Sequence, residues 1–319
     1  MSPSTIDLKQ RVTVSLPDLY KSFLVARPEL DSNYESVKDE SEKWIQSYMG
    51  LSPKQSQRVN YCDFTYMVAV LVPNVPREKL RIAADWGNWV FLFDDMFDEG
   101  ELTDDPVTSR RIINNLLSVM VPGIERTSEE PVVAAHDSIF KRFAAADLGW
   151  LKGVVQRYVE AMILYCQGAQ QHVNDYSAGH VPEISEMLDT RRHSIGALPM
   201  FPFVEFAYGL QLPDEVFQHP TIRTLQNLAV EFVVLMNDIL SYRKEESENL
   251  PFNMVAVARI SGASAQEAFD QIASMVDARF DEWERSIHSL PQWGQHVDNQ
   301  VLQYIQGVQN IIQANLSWR

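Results

Sequence analysis

The sequence predicts one all-α domain, a helical bundle spanning residues 1–319. Three observations predict it. Apolar residues recur at spacings of three and four along nearly the whole chain, the period at which side chains share one helix face. No stretch shows the alternation of a half-buried strand. Gly and Pro fall in short clusters, which punctuate turns between helices and do not form linkers between domains.

The elements follow in chain order. The first ~15 residues are expected to be poorly ordered, as chain ends often are. A break at 73–76 precedes the first strong stripe, Trp86, Trp89, Val90, Phe93 and Phe97. Pro122-Gly123 is the next break, and the polar run Thr127 to Pro131 reads as a surface loop. Leu148, Leu151, Val155, Tyr158 and Met162 form a second stripe, which stops before the break from Gly179 to Pro182. Pro213 and Pro220 precede a third, Leu225, Leu228, Phe232 and Leu235. Ser261-Gly262 separates it from the last, Val301, Ile305, Val308 and Ile312. The pattern implies roughly ten or more helices with no internal repeat.

Composition narrows the function. The chain has 319 residues, 45% of them hydrophobic, enough for a large core. Its two cysteines, Cys62 and Cys166, cannot form a disulfide framework and read as reduced thiols. The N-terminus lacks a basic start followed by an apolar run, so no signal peptide is expected. No stretch approaches the roughly 18 uninterrupted apolar residues of a membrane span. The expectation is a cytoplasmic protein. A net charge of −16 argues against nucleic acid and anionic membranes as partners, since both select basic surfaces. The same charge would repel a pyrophosphate, so that substrate would need divalent cations and a few placed Arg and Lys residues. With 13 glycines, the chain shows no glycine-rich phosphate loop.

Two acidic segments carry the chemistry. The first is Phe-Leu-Phe-Asp94-Asp95-Met-Phe-Asp98-Glu99, and the second is Asn237-Asp238-Ile-Leu-Ser241-Tyr-Arg-Lys244-Glu245. Residues four apart stack on one helix face, so Asp94 and Asp98 project together. Asn237, Ser241 and Glu245 form an oxygen stripe over about two turns. Oxygen-only ligands suit hard divalent ions, and Mg²⁺ in particular keeps waters and shares substrate phosphates. Lys244 adds a cation for a phosphate beside that stripe. The first segment alone reads equally well as a solvated acidic face. The second mixes an amide, a hydroxyl and a carboxylate in strict register after Val-Glu-Phe-Val-Val-Leu-Met, a mixture that a surface stripe does not need.

Together the segments resemble the aspartate-rich (DDxxD-like) and Asn-Asp-x-x-Ser-x-x-x-Glu motifs of the type I terpene synthases. Asp94-Asp95-Met-Phe-Asp98 matches the first, and Asn237, Ser241 and Glu245 match the second without departure. The Lys244-Glu245 ending and the Glu99-Gly100 after the first motif are similar to fungal, particularly mushroom-type, sesquiterpene synthases. The resemblance covers the chain from about residue 15 onward. It implies the class I terpenoid synthase bundle with a central cavity, and Mg²⁺-dependent ionisation and cyclisation of a prenyl diphosphate, farnesyl diphosphate by chain size. It further implies three Mg²⁺ ions. Asp94 would hold two with Asp95 or Asp98 beside it, and Asn237, Ser241 and Glu245 would hold the third. A homodimer is common among similar proteins, and the oligomeric state is left open.

A third element is Arg191-Arg192-His193-Ser194-Ile195-Gly196 before Ala-Leu-Pro199. Gly196 and Pro199 so close together should break a helix. By itself this reads as an ordinary kink. In the resembling family, an Arg about 46 positions before the Asn of the second motif senses the diphosphate, and Arg191 stands 46 before Asn237. Arg192 then reads as a surface or packing residue. The Ser194–Gly196 break would correspond to the family's kink, whose carbonyl faces the cavity. His193, beside the sensor, is expected to be the one histidine near the site. The resemblance also implies an Arg-Tyr pair a few residues after a Trp. Here Trp318 is followed by Arg319 alone, and the expectation is that the given chain stops just short of the pair.

Spacing defines the pocket wall. Val90 and Phe91 lie one turn before Asp94, with Gly87 a further turn back. Val233 and Val234 lie one turn before Asn237, with Val230 below. Most of these fit core packing as well as a pocket. Phe91 is assigned to the pocket, where an aromatic face stabilises a nearby cation by ~0.5–2 kcal/mol without an atom that would trap it. Trp318 resembles the family's pocket tryptophan, and Ile195 and Gly196 complete the expected wall. Trp86 and Trp89 lie on other faces and read as packing. Two alternatives remain at this point. A chain-elongating prenyltransferase would carry a second aspartate-rich motif near residue 237, where this chain has Asn-Asp-Ile-Leu-Ser. A non-catalytic helical scaffold would use the acidic patches to bind metal.

Overall fold

The computed structural model describes residues 12–98, 100–145, 151–247, 250 and 252–318. Fourteen α-helices and one short 3₁₀ turn appear among the described residues, with no strand. They are α1 (Tyr34–Met49), α2 (Pro53–Cys62), α3 (Phe64–Leu71), α4 (Arg77–Asp98), α5 (Pro106–Leu117), α6 (Pro131–Ala145) and α7 (Leu151–Ala178). Then come α8 (Ile184–Ser194), α9 (Met200–Tyr208), α10 (Asp214–Gln218), α11 (Pro220–Ser247), α12 (Met254–Ile260), α13 (Ala265–His288) and α14 (Gln295–Ser317). The second predicted stripe becomes α7, although Leu148 lies outside the described residues. So do residues 1–11, and Ser15 is tied to α13 by two hydrogen bonds with Gln266, at 2.8 and 3.1 Å.

Local chemistry sets where the helices begin. Ser52 and Gln55 form a reciprocal capping box ahead of Pro53, and Ser264 and Glu267 form another at α13. Asp105 caps α5 just before Pro106, and Asn253 caps α12 through Val255 and Ala256. Asp63 both ends α2 and caps α3, with φ at 52°, a left-handed conformation that a short polar side chain tolerates. The chain therefore turns sharply between Cys62 and Phe64.

Two long helices form the inner frame. One face of α4 packs on α1, α3, α6 and α7, while α11 packs on α8, α12, α13 and α14. Trp86 and Trp89 are fully buried in the core, and Trp89 donates its indole N–H to the Val132 carbonyl at 2.8 Å. A polar seam also holds α4. Asp85 is buried between Arg81 and Arg142, and Asn88 donates to Ser41 and Thr65. These bonds satisfy groups that would be costly to leave buried and unpaired. They fix the rotation of α4 and hence the direction in which Asp94 points.

Gly87, expected in the pocket wall from its spacing, lies against α3. A Cβ built there would lie 2.5 Å from Val68 Cγ2, so the residue is where α3 presses onto α4. Gly87→Ala should lower stability by about 1–3 kcal/mol, the usual cost of overpacking a tight core. Chemical denaturation compared with the parent chain measures it, and an unchanged midpoint would remove Gly87 from the helix contact.

Candidate active site

The last turns of α4 carry the first acidic segment. Asp94, Asp95 and Asp98 are all partly exposed at the rim, while Phe93 just before them and Phe97 among them are buried. Each carboxylate faces a protein partner. Asp94 Oδ1 accepts from the Tyr165 hydroxyl at 2.7 Å, Asp95 pairs with Arg58 of α2 at 3.0 Å, and His172 Nε2 stands 3.7 Å from Asp98 Oδ1. Dense surroundings, then repulsion from Asp98 and Asp95, push the Asp94 carboxyl well above the usual carboxylate range, against the pull of Tyr165 and Arg191. Glu99, at the end of this segment, lies outside the described residues.

The second segment occupies the last turns of α11. Ser241 Oγ donates to the Asn237 carbonyl at 2.8 Å and lies 3.4 Å from Asn237 Oδ1, so the first two oxygens of the stripe are adjacent. The Asn253 amide donates at 2.8 Å to Glu245 Oε2, which fixes the third. The same amide reaches the Asp238 carbonyl at 2.9 Å, so the cap of α12 also aligns the stripe. Lys244 is exposed on the outer side of the segment.

Arg191 stands between the two segments. It is buried at the end of α8, and its Nη2 donates to Asp238 Oδ1 at 2.6 Å. Burial draws the guanidinium pKa down, but Asp238, then Asp98 and Glu245, more than offset it. Its charge also reaches Asp94. One cation thus senses carboxylates of both segments, and its buried Nε has no hydrogen-bond partner. Arg192 instead pairs with Asp189 and Glu231, which Arg279 also grips, so it braces α8 against α11 and α13.

The helix break behaves as the sequence implies. α8 ends at Ser194, Gly196 has φ of 73°, and α9 starts at Met200. Ser194 Oγ is buried without a partner. Gly168 of α7 makes this junction possible. A Cβ there would lie 2.5 Å from Ser194 N and 2.6 Å from the His193 carbonyl carbon, so α7 and α8 touch backbone to backbone. Ile195 is half-buried at the break.

Rings gather beneath the first segment. Phe91 stacks on Phe64 at 4.2 Å between centroids, and Trp318 lies 5.0 Å from Phe91 and 5.6 Å from Phe64. The Trp318 indole donates to the Cys62 carbonyl at 2.5 Å, joining the end of α14 to the α2–α3 turn. Val90 and Tyr165 face Gly196, 3.9 and 3.7 Å from where its Cβ would stand. Val233 and Val234 are buried one turn below Asn237.

Sequence reasoning missed three participants. Tyr165, His172 and Arg58 have no motif of their own and sit on helices outside the two segments, while Asp238 stands inside the second motif but was given no role. The expectation that His193 is the histidine near the site is corrected. His193 is exposed, whereas His172 is buried between Asp98 and Glu245, with its ring 4.3 Å from Phe252. Helical phase explains it. His172 lies one turn beyond Gly168 and two beyond Tyr165 on the inward face of α7, while His193 points away from the face that carries Arg191 and Ser194.

The family model described as terpene synthase family 2, C-terminal metal binding, matches residues 85–282, a span that contains both acidic segments and Arg191. The chain belongs to the terpene synthase family. Silphinene synthase peniA of Penicillium patulum is 34% identical over 97% of this chain and 84% of its own length. Terpene cyclase 4 of Gibberella fujikuroi is 29% identical over 100% of this chain and 87% of its own. Among solved structures, a-eudesmol synthase superposes with a TM-score of 0.80 at 20% identity, covering 97% of this chain and 98% of that one, which shows the shared fold. This terpene synthase is accordingly an enzyme, a terpene cyclase of the all-α class I architecture.

Gly168→Ala in this synthase should displace the end of α8 and with it Arg191. The expected result is a loss of about 1–3 kcal/mol of stability. Calorimetry checks it. A variant with parental stability would show that the close contact is dispensable.

Proposed function

We propose that this terpene synthase ionises and cyclises farnesyl diphosphate in a Mg²⁺-dependent reaction, releasing diphosphate and a sesquiterpene hydrocarbon or alcohol. One observation carries the reading. A buried arginine with an unpartnered N–H stands between two oxygen-rich helix ends above an aromatic and aliphatic wall. A site that binds only metal would not need that cation, and a site that binds only an apolar molecule would not bury it. The sesquiterpene synthases among its relatives support the size of the substrate.

The donors fit a hard divalent ion. Among the described residues no three His, Cys, Asp or Glu side chains converge tightly enough to hold one alone. The second segment, however, offers an amide, a hydroxyl and one carboxylate, and such donors hold Mg²⁺ when phosphate oxygens complete its shell. Asp94, with Asp95 or Asp98, would hold two ions, and Asn237, Ser241 and Glu245 a third. Bound Mg²⁺ supplies positive charge to the departing diphosphate oxygens.

The chain's own residues then divide the work. Arg191 grips diphosphate oxygens with a planar, permanently charged fork. Lys244 adds a point charge from the rim. Together they favour the state in which negative charge collects on the leaving group. Phe91 and Trp318, with Phe64 behind them, present π faces to the allylic cation left behind. Val90, Ile195, Gly196, Val233 and Val234 shape the wall that folds the isoprenoid chain and keeps water from the cation.

Asp94→Ala and Asn237→Ala should each abolish turnover of farnesyl diphosphate while leaving helical circular dichroism intact. Magnesium-dependent diphosphate release at the parental rate in either variant would contradict the reading. Incubation with farnesyl diphosphate and Mg²⁺ followed by headspace analysis identifies the product class. A longer prenyl diphosphate would point to chain elongation instead. Phe91→Leu should alter the ratio of volatile products more than the rate of diphosphate release, and gas chromatography of the same incubations measures both.

A further inference from the structure

We propose that Tyr165 is a positioning residue for ionisation, a rigid strut that fixes Asp94 relative to the helix break beside Arg191. The inference rests on the function proposed above. It concerns a residue that lies in neither acidic segment and 26 positions before the sensor arginine.

The geometry has three parts. Tyr165 is completely buried, so its hydroxyl must find an acceptor inside the protein. The acceptor it finds is Asp94 Oδ1, at 2.7 Å. Its ring edge, meanwhile, stands 3.7 Å from the position a Cβ would take on Gly196. One side chain therefore bonds the leading carboxylate of the first segment and lies beside the turn that follows Arg191, in the space that a side chain on Gly196 would meet. Phe93 flanks the ring at 6.0 Å between centroids, and one turn further along α7, Gly168 packs directly on the backbone of His193 and Ser194.

The consequence is mechanical. A tyrosine has only two side-chain torsions, and packing on both sides leaves neither of them free. The buried ring thus holds the carboxylate of Asp94 in a fixed place beside the turn at Gly196. The hydrogen bond also occupies one lone pair of Oδ1 and orients the carboxylate plane, leaving Oδ2 and the second Oδ1 lone pair directed to the site. Residues that orient a metal-binding carboxylate in this way typically change metal affinity 10–100-fold when removed. A purely structural tyrosine could have satisfied its hydroxyl with any nearby carbonyl and would leave metal affinity alone.

Tyr165→Phe removes the strut's hydroxyl and keeps its ring. The variant should fold with a nearly unchanged melting temperature in the absence of ligand. It should need about 10-fold more Mg²⁺ for half-maximal diphosphate release. It should also show a smaller rise in melting temperature than the parent when Mg²⁺ and inorganic diphosphate are added together. A folded Phe variant with the parental Mg²⁺ requirement and the parental ligand-induced rise would overturn the proposal. Site-specific 3-fluorotyrosine at position 165 provides a readout that does not depend on the variant folding. Its fluorine resonance should move when Mg²⁺ and diphosphate are added, and a resonance that does not move would equally overturn the role. The unsubstituted chain is the control for the underlying reading. If it neither gains stability from Mg²⁺ with diphosphate nor releases diphosphate from farnesyl diphosphate, the function itself is wrong and this inference falls with it.

Discussion

The pairing of Arg191 with Asp238 is the constraint on which the rest of the site depends. Asp238 is fully buried, and its two oxygens take different partners, Arg191 at 2.6 Å and the Met254 backbone N–H at 2.8 Å. One carboxylate thereby joins the end of α8, the residue of α11 next to Asn237, and the start of α12. Burial pushes the Asp238 pKa up to about 6, and Arg191 acts against that rise. Buried ion pairs of this kind add little net stability, because desolvation cancels most of the attraction, yet losing one partner costs about 3–5 kcal/mol. Their value here is placement. Asn253, which caps α12, reaches back to Glu245 and the Asp238 carbonyl, so the oxygen stripe and the cation are aligned by the same few bonds.

The sequence made the helical class and both acidic segments legible for a clear reason. Period-four spacing is a property of the helix itself, so Asp94 with Asp98, and Asn237 with Ser241 and Glu245, could be placed on common faces before any fold was known. Gly196 and Pro199 likewise announced a break through backbone chemistry alone. Asp238 escaped notice because it stands one residue from Asn237, which turns it about 100° around the helix and out of the stripe. Tyr165, His172 and Gly168 escaped because each acts across space on a helix that carries no motif. Their roles exist only once α7 lies against α4 and α8. Gly87 shows a different limit of spacing. Its phase assigned it to the pocket wall, yet a missing side chain is equally what a close helix crossing requires, and Val68 occupies that space.

The aromatic wall is also a joint between distant parts of the chain. Phe64 begins α3, Phe91 belongs to α4 and Trp318 follows α14, yet all three rings meet within 6 Å. Trp318 holds its place by donating to the Cys62 carbonyl at the sharp turn set by Asp63. α2 leads into this turn. It is mostly exposed, with Val59 its one buried residue, and Arg58 on it pairs with Asp95. An element held by so few buried contacts moves more readily than the core beneath it. Movement of α2 would be felt at Asp95 through charge and at Phe91 through ring packing, so the acidic rim and the ring cluster are mechanically linked.

The charge arrangement explains how an acidic protein can receive an acidic ligand. With a net charge of −16, the chain opposes a bare diphosphate at long range. At the site itself, the carboxylates are quieted by partners that differ in strength. Asp238 is bound to a fixed guanidinium, whereas Asp94 has a phenol, Glu245 an amide and Asp98 a histidine 3.7 Å away. Neutral donors neutralise no charge, so these three carboxylates share only the single charge of Arg191, which is already paired with Asp238. In the proposed reaction divalent cations would balance the remaining negative charge, and diphosphate oxygens would complete the shells of those cations. Arg191 is the exception that gives the site its polarity. Its charge is already placed and its Nε has no partner, so under the proposed function an anion arriving with its cations would be drawn toward the helix break and away from the solvent-facing rim.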